Sequence, residues 1–161
     1  MIRNMKYVWV FLFGWVLLAS PALADERAAA EGDTVSIHYT GKLEDQTVFD
    51  SSDGREPLEF KVGAQNIIPG MSKAVQGMKV GDSKTATIPP EEAYGPYNDK
   101  LIFEVPTQNL PPGVKPGTPL RDPQGGMVVV KEVNGDKSVL DANHMLAGKT
   151  LIFDIKLVSI K

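Results

Sequence analysis

The sequence predicts an α+β fold: an antiparallel β-sheet wrapped around one short helix, with a small all-β unit inserted late in the chain. Three observations carry this. Period-two apolar alternation recurs from "TVSIHYTG", which begins at Thr34, to the closing "LIFDIKLVSI", as expected of strands with one buried face. One segment, "PGMSKAVQGMKVG", changes to helical spacing. Some fifty residues between Tyr94 and the last strand carry their own alternating runs and turn signals. A structureless loop of that length would be anomalous, and a small β unit is not.

The N-terminus reads as a secretory signal peptide over residues 1–24. Arg3 and Lys6 precede the apolar run Tyr7 to Leu18, and Ala22-Leu23-Ala24 has the small-x-small pattern. A bilayer span needs about 20 apolar residues, so a membrane anchor is expected only if this short segment is left uncleaved. Cleavage near Ala24 leaves a mature chain of residues 25–161, exported and, in a Gram-negative source, periplasmic. Without Arg3 and Lys6 the 17 basic side chains become 15 against 20 acidic ones, a net charge of −5. No basic cluster appears, which argues against a nucleic-acid partner. The absence of cysteine excludes disulfides, thiol redox chemistry and cysteine metal sites together.

Taken in order, Asp25 to Glu31 is Ala-rich and charged and is expected to be a loose leader. In "TVSIHYTG", Val35, Ile37 and Tyr39 share one face while Ser36, His38 and Thr40 share the other. "EDQ" forms a turn, "TVFDSS" continues extended with Phe49 and Asp50 adjacent, and "LEFKV" turns Leu58, Phe60 and Val62 inward. Met71, Ala74, Val75 and Met78 fall at i, i+3, i+4 and i+7, a stripe opened by Pro69 and expected to stop near Gly81. Such a helix is too short to stand alone and must lie on the sheet. "SKTATIPPEEAYG" is a strand ending in a Pro-rich turn that presents Tyr94, and Leu151, Phe153, Ile155 and Leu157 alternate along the final strand.

The insert contains "LIFEV", the Pro-rich "PTQNLPPGVKPGTPL", a turn at Gln124-Gly125-Gly126, "MVVVKEV", "NGDK" and "SVLDAN". Asn134-Gly135 between two apolar runs is a strong hairpin signal. The domain boundaries expected are 25–97 with 143–161 for the main body and 98–142 for the insert.

No nucleophile and base stand in a recognisable arrangement. His38 and His144 lack any metal-binding context and read as a strand-face residue and a turn residue. Glu91 and Glu92 are neighbours whose side chains diverge, and no Gly-rich loop resembles a phosphate cradle. What remains is a dispersed apolar set, Tyr39, Phe49, Leu58, Ile67, Ile68, Met71, Tyr94 and Phe153, accompanied by Asp50. By periodicity alone that set reads as ordinary core.

Four motifs in order give it another meaning. "GDTVSIHYTGKLEDQTVFDSS", "IIPGMSKAVQGMKVGD", "IPPEEAYGPY" and "NHMLAGKTLIFDIKLV" resemble the FKBP-type peptidyl-prolyl isomerases. The insertion after "AYG" and the return through "NHMLAGKTL" resemble the SlyD-like branch, whose insert-in-flap domain acts as a chaperone module. The resemblance covers nearly the whole mature chain. It implies an FKBP-like fold and a proline-binding pocket in which Tyr39, Phe49, Asp50, Tyr94 and Phe153 are catalytic and Leu58, Ile67, Ile68 and Met71 bind substrate. Ile67 and Ile68 match the family's aliphatic pair before the helix. Met71 stands where the best-known single-domain members place a tryptophan, and Leu58 where they place a phenylalanine; this argues against tight macrolide binding. The histidine-rich tail of SlyD has no counterpart up to Lys161, so neither metal nor cofactor is implied. In the insert, Leu101, Phe103, Val105 and Met127, with Met145 near the hinge, are expected to offer apolar surface to client chains. The partners implied are unfolded or partly folded proline-containing polypeptides, met by a monomer. Two rival readings are a holdase or binding module with little isomerase activity and an assembly factor for one dedicated partner.

Overall fold

Strand β1 (Thr34–Leu43) organises the larger of two sheets. Its inward row starts with the fully buried Val35 and Ile37 and continues through half-buried Tyr39 to Gly41. One edge of β1 pairs antiparallel along its whole length with the last strand, β9 (Leu151–Ile160). The other edge is shared: β2 (Val48–Ser51) pairs with Thr40–Lys42, and β3 (Leu58–Lys61) with Thr34–Ile37. β4 (Ser83–Ile88) completes the five strands against the far side of β9. Leu151, Phe153, Ile155 and Leu157 of β9 are all buried, as their alternation requires. The structure is a computed structural model and describes residues 27–123 and 125–161; the signal-peptide reading of residues 1–24 lies outside the described residues.

Helix α1 (Pro69–Val75) lies on the inner face of this sheet. Met71, Ala74 and Val75 are buried against it. Gly70 brings the helix backbone close to β4, since a Cβ there would stand 2.3 Å from Ile88 Cγ2. The helix ends earlier than the expected stop near Gly81, because Gly77 takes a φ of 80°, which breaks the helical path. Met78 is nonetheless buried, from the turn beyond the helix.

The expected loose leader is also corrected. Ala28 forms an antiparallel bridge with Lys79, the Ala29 N–H donates to the Met78 carbonyl at 2.8 Å, and Ala29 is buried. Arg27 pairs with Asp33 at 2.8 Å across the following turn. The attachment runs through backbone groups and one small side chain, which leave no periodic trace in the sequence.

The second sheet holds four antiparallel strands in the order β5-β8-β7-β6: β5 (Ile102–Pro106), β6 (Pro119–Arg121), β7 (Met127–Asn134) and β8 (Lys137–Asp141). The "LIFEV" segment therefore belongs to the insert rather than to the main sheet. Its core is thin: Val128, Val130 and Leu140, flanked by Val105, Leu110, Val114, Leu120 and Val133. The predicted hairpin joins β7 to β8, with Asn134 paired to Lys137 and Gly135-Asp136 as the two-residue loop. Gly135 takes a φ of 61° at the first loop position, where a II′ turn places glycine. The chain enters and leaves the insert at adjacent points. The Asn98 N–H donates to Asn143 Oδ1 at 2.9 Å, and Asn143 Nδ2 donates to the Asn98 carbonyl at 3.0 Å. No helix among the described residues is long and apolar enough to cross a membrane.

Candidate active site

Phe49 and Asp50 are consecutive, so in a regular strand their side chains would leave opposite faces. Both line the same cavity. A bulge explains it: Gly41 pairs with Asp50 and Lys42 with Val48, so Phe49 has no partner across from it. A bulge of this kind re-aims a side chain, and here it swings the Phe49 ring inward over Gly41. Gly41 makes the space. A Cβ at that position would stand 2.6 Å from Phe49 Cζ and 2.9 Å from Phe153 Cε1. The Phe49 and Phe153 rings meet edge to face at 5.6 Å, and Tyr39 tilts against Phe153 at 6.0 Å. These are favourable geometries for aromatic quadrupoles, so the three rings form one stiff wall.

The cavity, of about 400 Å³, brings together all nine pocket residues named from the sequence: Tyr39, Phe49, Asp50, Leu58, Ile67, Ile68, Met71, Tyr94 and Phe153. Met71, in the first turn of α1, is 2% exposed and forms the floor. Ile67 and Ile68 enter from the extended segment ahead of Pro69, where Ile68 at ψ 138° has not yet turned into the helix. Gln65, Asn66, Pro69 and Ala93 complete the lining, and sequence reasoning missed them. Their places beside Ile67, Ile68 and Tyr94 in the chain were the available signal.

One rim is charged. The Tyr39 hydroxyl donates to Asp50 Oδ2 at 2.5 Å, Arg55 Nη2 reaches Oδ1 at 2.6 Å, and the Ser51 N–H donates to Oδ1 at 2.9 Å. The Tyr39 hydroxyl and the Arg55 guanidinium hold the Asp50 carboxyl below its ordinary pKa. Burial, then the carboxylate beside it, pushes the Tyr39 phenol up to about 12. Asp50 is thus an ionised acceptor engaged by three donors, suited to fixing Tyr39 and Arg55 rather than to taking a proton from substrate. Arg55 was not singled out by the sequence reading.

The opposite rim is the segment after the 3-10 turn Pro90–Glu92. It carries Tyr94, 42% exposed, whose hydroxyl has no hydrogen-bond partner among the described residues. Lys73 of α1 fastens this segment through Glu92 at 2.5 Å, and the Gly148 N–H donates to the Gly95 carbonyl at 2.8 Å. The rim offers a free phenol above an apolar floor.

The four insert residues lie apart from this cavity. Leu101 and Phe103 are exposed and Val105 is half-buried in the insert core. Met127 is exposed, and the strand register sends it to the face opposite Phe103: Phe103 aligns with Leu140 and Val130, whereas Met127 aligns with Arg121. A larger depression of about 800 Å³ lies on the outer face of the main sheet, lined by His38, Thr40, Ser51, Thr85, Asp154 and Lys156. Its polar groups bind one another, as in Thr85 Oγ1 to Asp154 at 2.7 Å, and neither Phe49 nor Phe153 lines it. Among the described residues no three His, Asp or Glu side chains converge as a metal site.

The likeness to known proteins agrees with this geometry. The family pattern described as FKBP-type peptidyl-prolyl cis-trans isomerase matches residues 25–158. The FKBP-type isomerase SlyD of Haemophilus influenzae is 35% identical over 133 residues, covering 78% of this chain and 68% of that protein. A probable FKBP-type 16 kDa isomerase of Pseudomonas fluorescens is 33% identical over 149 residues, covering 89% of this chain and 99% of its own length. FK506-binding protein 2 of Yarrowia lipolytica is 56% identical over 86 residues, covering 48% of this chain and 60% of that protein. The apolar cavity, its aromatic wall and these matches make this chain a member of the FKBP-type peptidyl-prolyl cis-trans isomerase family.

Proposed function

We propose that the cavity between Phe153, Met71 and Tyr94 is where this isomerase turns an X–Pro bond, and that the second sheet presents client polypeptide to it. One observation supports the site above all: side chains from β1, β2, β3, α1, β9 and the Tyr94 segment converge on a single apolar space. The barrier to isomerisation, about 18–20 kcal/mol, comes from amide resonance. Resonance separates charge and is favoured by water. An apolar enclosure therefore disfavours the planar amide relative to the twisted transition state, and the pocket need only fit the twisted form better. Met71, Ile67, Ile68 and Leu58 hold the proline ring, and the Tyr39–Phe49–Phe153 wall bounds it. Tyr94 donates its free hydroxyl to a peptide carbonyl, while Asp50 keeps Tyr39 in place. No covalent intermediate is needed.

The insert, taken as residues 98–142, serves as a chaperone unit through Leu101, Phe103, Val105 and Met127. Its thin core, to which Val105 belongs, and the exposed side chains of Leu101, Phe103 and, on the other face, Met127 support that reading. Residues 1–24 act as a cleaved export signal, so the mature protein begins at Asp25 outside the cytoplasm; N-terminal sequencing of the exported protein tests this. The site is tested by isomerisation of a Pro tetrapeptide. Tyr94→Phe removes one hydrogen bond and is expected to cost about 0.5–1.5 kcal/mol of transition-state binding. Phe49→Ala, which opens the wall, is expected to cost more. Unchanged kcat/KM in a folded Phe49→Ala protein places the chemistry elsewhere.

A further inference from the structure

We propose that His144 is a positioning residue for the isomerase, holding the Tyr94 ring where its hydroxyl reaches a peptide in the cavity. The proposal rests on the reading of that cavity as the active site. The two rings stack face to face, 3.9 Å between centroids and 5° from parallel. His144 is itself fixed. The Leu146 N–H donates to its Nδ1 at 3.1 Å, which makes Nδ1 the acceptor and sets the imidazole plane. The turn that carries it is pinned by the Ala147 N–H bonding to the His144 carbonyl at 2.8 Å and by burial of Leu146 and Ala147.

Tyr94 needs such a support. The Gly148–Gly95 bond and the Lys73–Glu92 pair fasten the backbone on either side of it, but neither sets the rotamer of a ring that is 42% exposed. Tyr94 is also a partition. It lines the proline cavity and, on its other side, a cleft of about 620 Å³ formed with Tyr97, Leu101, Asn143, His144 and Ala147. Without the imidazole the ring is free to swing into that cleft and take its hydroxyl away from the substrate. His144 touches no reacting atom in this scheme and acts only through Tyr94.

The test is a double-mutant cycle on the full mature chain, read as kcat/KM for a Pro tetrapeptide. His144→Ala is expected to lower kcat/KM roughly three- to tenfold, the range of one aromatic pair. His144→Phe, which restores a ring face, is expected to recover most of it. In a Tyr94→Ala background the same His144→Ala change should have almost no further effect, because the group it positions is gone. Urea midpoints of all variants are measured alongside, since a merely structural role would carry the loss equally into both backgrounds. An equal loss in both backgrounds, or a His144→Ala protein as fast as the parent while Tyr94→Ala is slow, overturns the role of His144. A Tyr94→Ala protein as fast as the parent removes Tyr94 from the chemistry, and the proposal with it; if Phe49→Ala is as fast as well, the site reading itself is overturned.

Discussion

At the scale of single residues, the shape of the cavity depends most on a residue with no side chain. Gly41 stands under the Phe49 and Phe153 rings, and a methyl group there overlaps both. Gly41→Ala therefore has to push the rings apart or flatten the bulge that aims Phe49. Overpacking of this kind costs about 1–3 kcal/mol of stability. The catalytic loss should be larger in proportion, roughly tenfold to a hundredfold in kcat/KM, since misplacement by about 1 Å can cost two orders of magnitude. A folded Gly41→Ala protein with parental kcat/KM would show that the aromatic wall is not used. Pairing of Tyr39 with Asp50 makes a second prediction, about pH. Asp50 has a depressed folded pKa, so its stabilisation is complete above the ordinary value of 3.8 and is lost as pH falls through the lower one. Tyr39 is raised from 10.0 to about 12, so its stabilisation is complete below pH 10 and is lost as pH rises toward 12. The stability difference between parent and Tyr39→Phe should then be flat from about pH 5 to 9 and shrink above pH 10. Urea titrations across that range check it, and a difference that changes between pH 6 and 8 would exclude this pair as its source. The nine cavity residues were legible because family motifs carry them. Gly41 and His144 were not, since each acts through a neighbour distant in the chain, Phe153 lying beyond the insert from Gly41 and Tyr94 before it from His144. Arg55 was not, because only the folded turn brings it back onto Asp50.

At the scale of elements, α1 is held by what it packs on, since seven residues supply too few hydrogen bonds to be helical alone. It comes close to the sheet at Gly70, against Ile88 of β4. Gly70→Ala should lift the first turn off the sheet, moving Met71 and Ile68 together, and destabilise the fold by about 1–3 kcal/mol. An ordinary helix would instead gain up to about 1 kcal/mol from Gly→Ala, so the sign of the change decides the matter. A higher thermal midpoint for Gly70→Ala would mean that Ile88 gives way. The sheet strands were readable from period-two alternation because each buries one face. The end of α1 was not, because Met78 continues the apolar stripe after Gly77 has already turned the chain. The backbone bridge at Ala28 escaped for a similar reason: it uses no patterned side chain. Local pattern reports burial, and it reports helix ends or backbone pairing only when these coincide with it.

At the scale of the whole molecule, two sheets share one chain, and the reciprocal Asn98–Asn143 pair marks where the second departs and returns. Tyr97 spans the junction, its hydroxyl donating to Asp141 at 2.5 Å with Lys131 Nζ 5.7 Å over its ring. The main sheet, α1 and every cavity residue lie outside the inserted segment. Replacing residues 99–142 with a short Gly/Ser link keeps the asparagine pair and removes the insert's side of the Tyr97 contacts together with the Asp141 carboxylate that accepts from Asn143. Closing a loop between ends already adjacent costs little entropy. The shortened protein should fold, and its kcat/KM on a Pro tetrapeptide should persist, because a small substrate needs only the cavity. Catalysis of a refolding protein limited by a prolyl bond is a different demand. If the insert holds the client beside the cavity, the effective concentration of prolyl bonds there is high, and losing it should slow catalysed refolding by roughly one to two orders of magnitude. Suppression of aggregation should fall in parallel, since Leu101 and Phe103, the exposed apolar side chains of the β5 segment, go with the insert. Measuring both rates on one preparation separates the two roles, because a misfolded truncation loses both and a folded one only the second. If the shortened protein refolds the client as fast as the full chain, the second sheet serves some purpose other than holding clients.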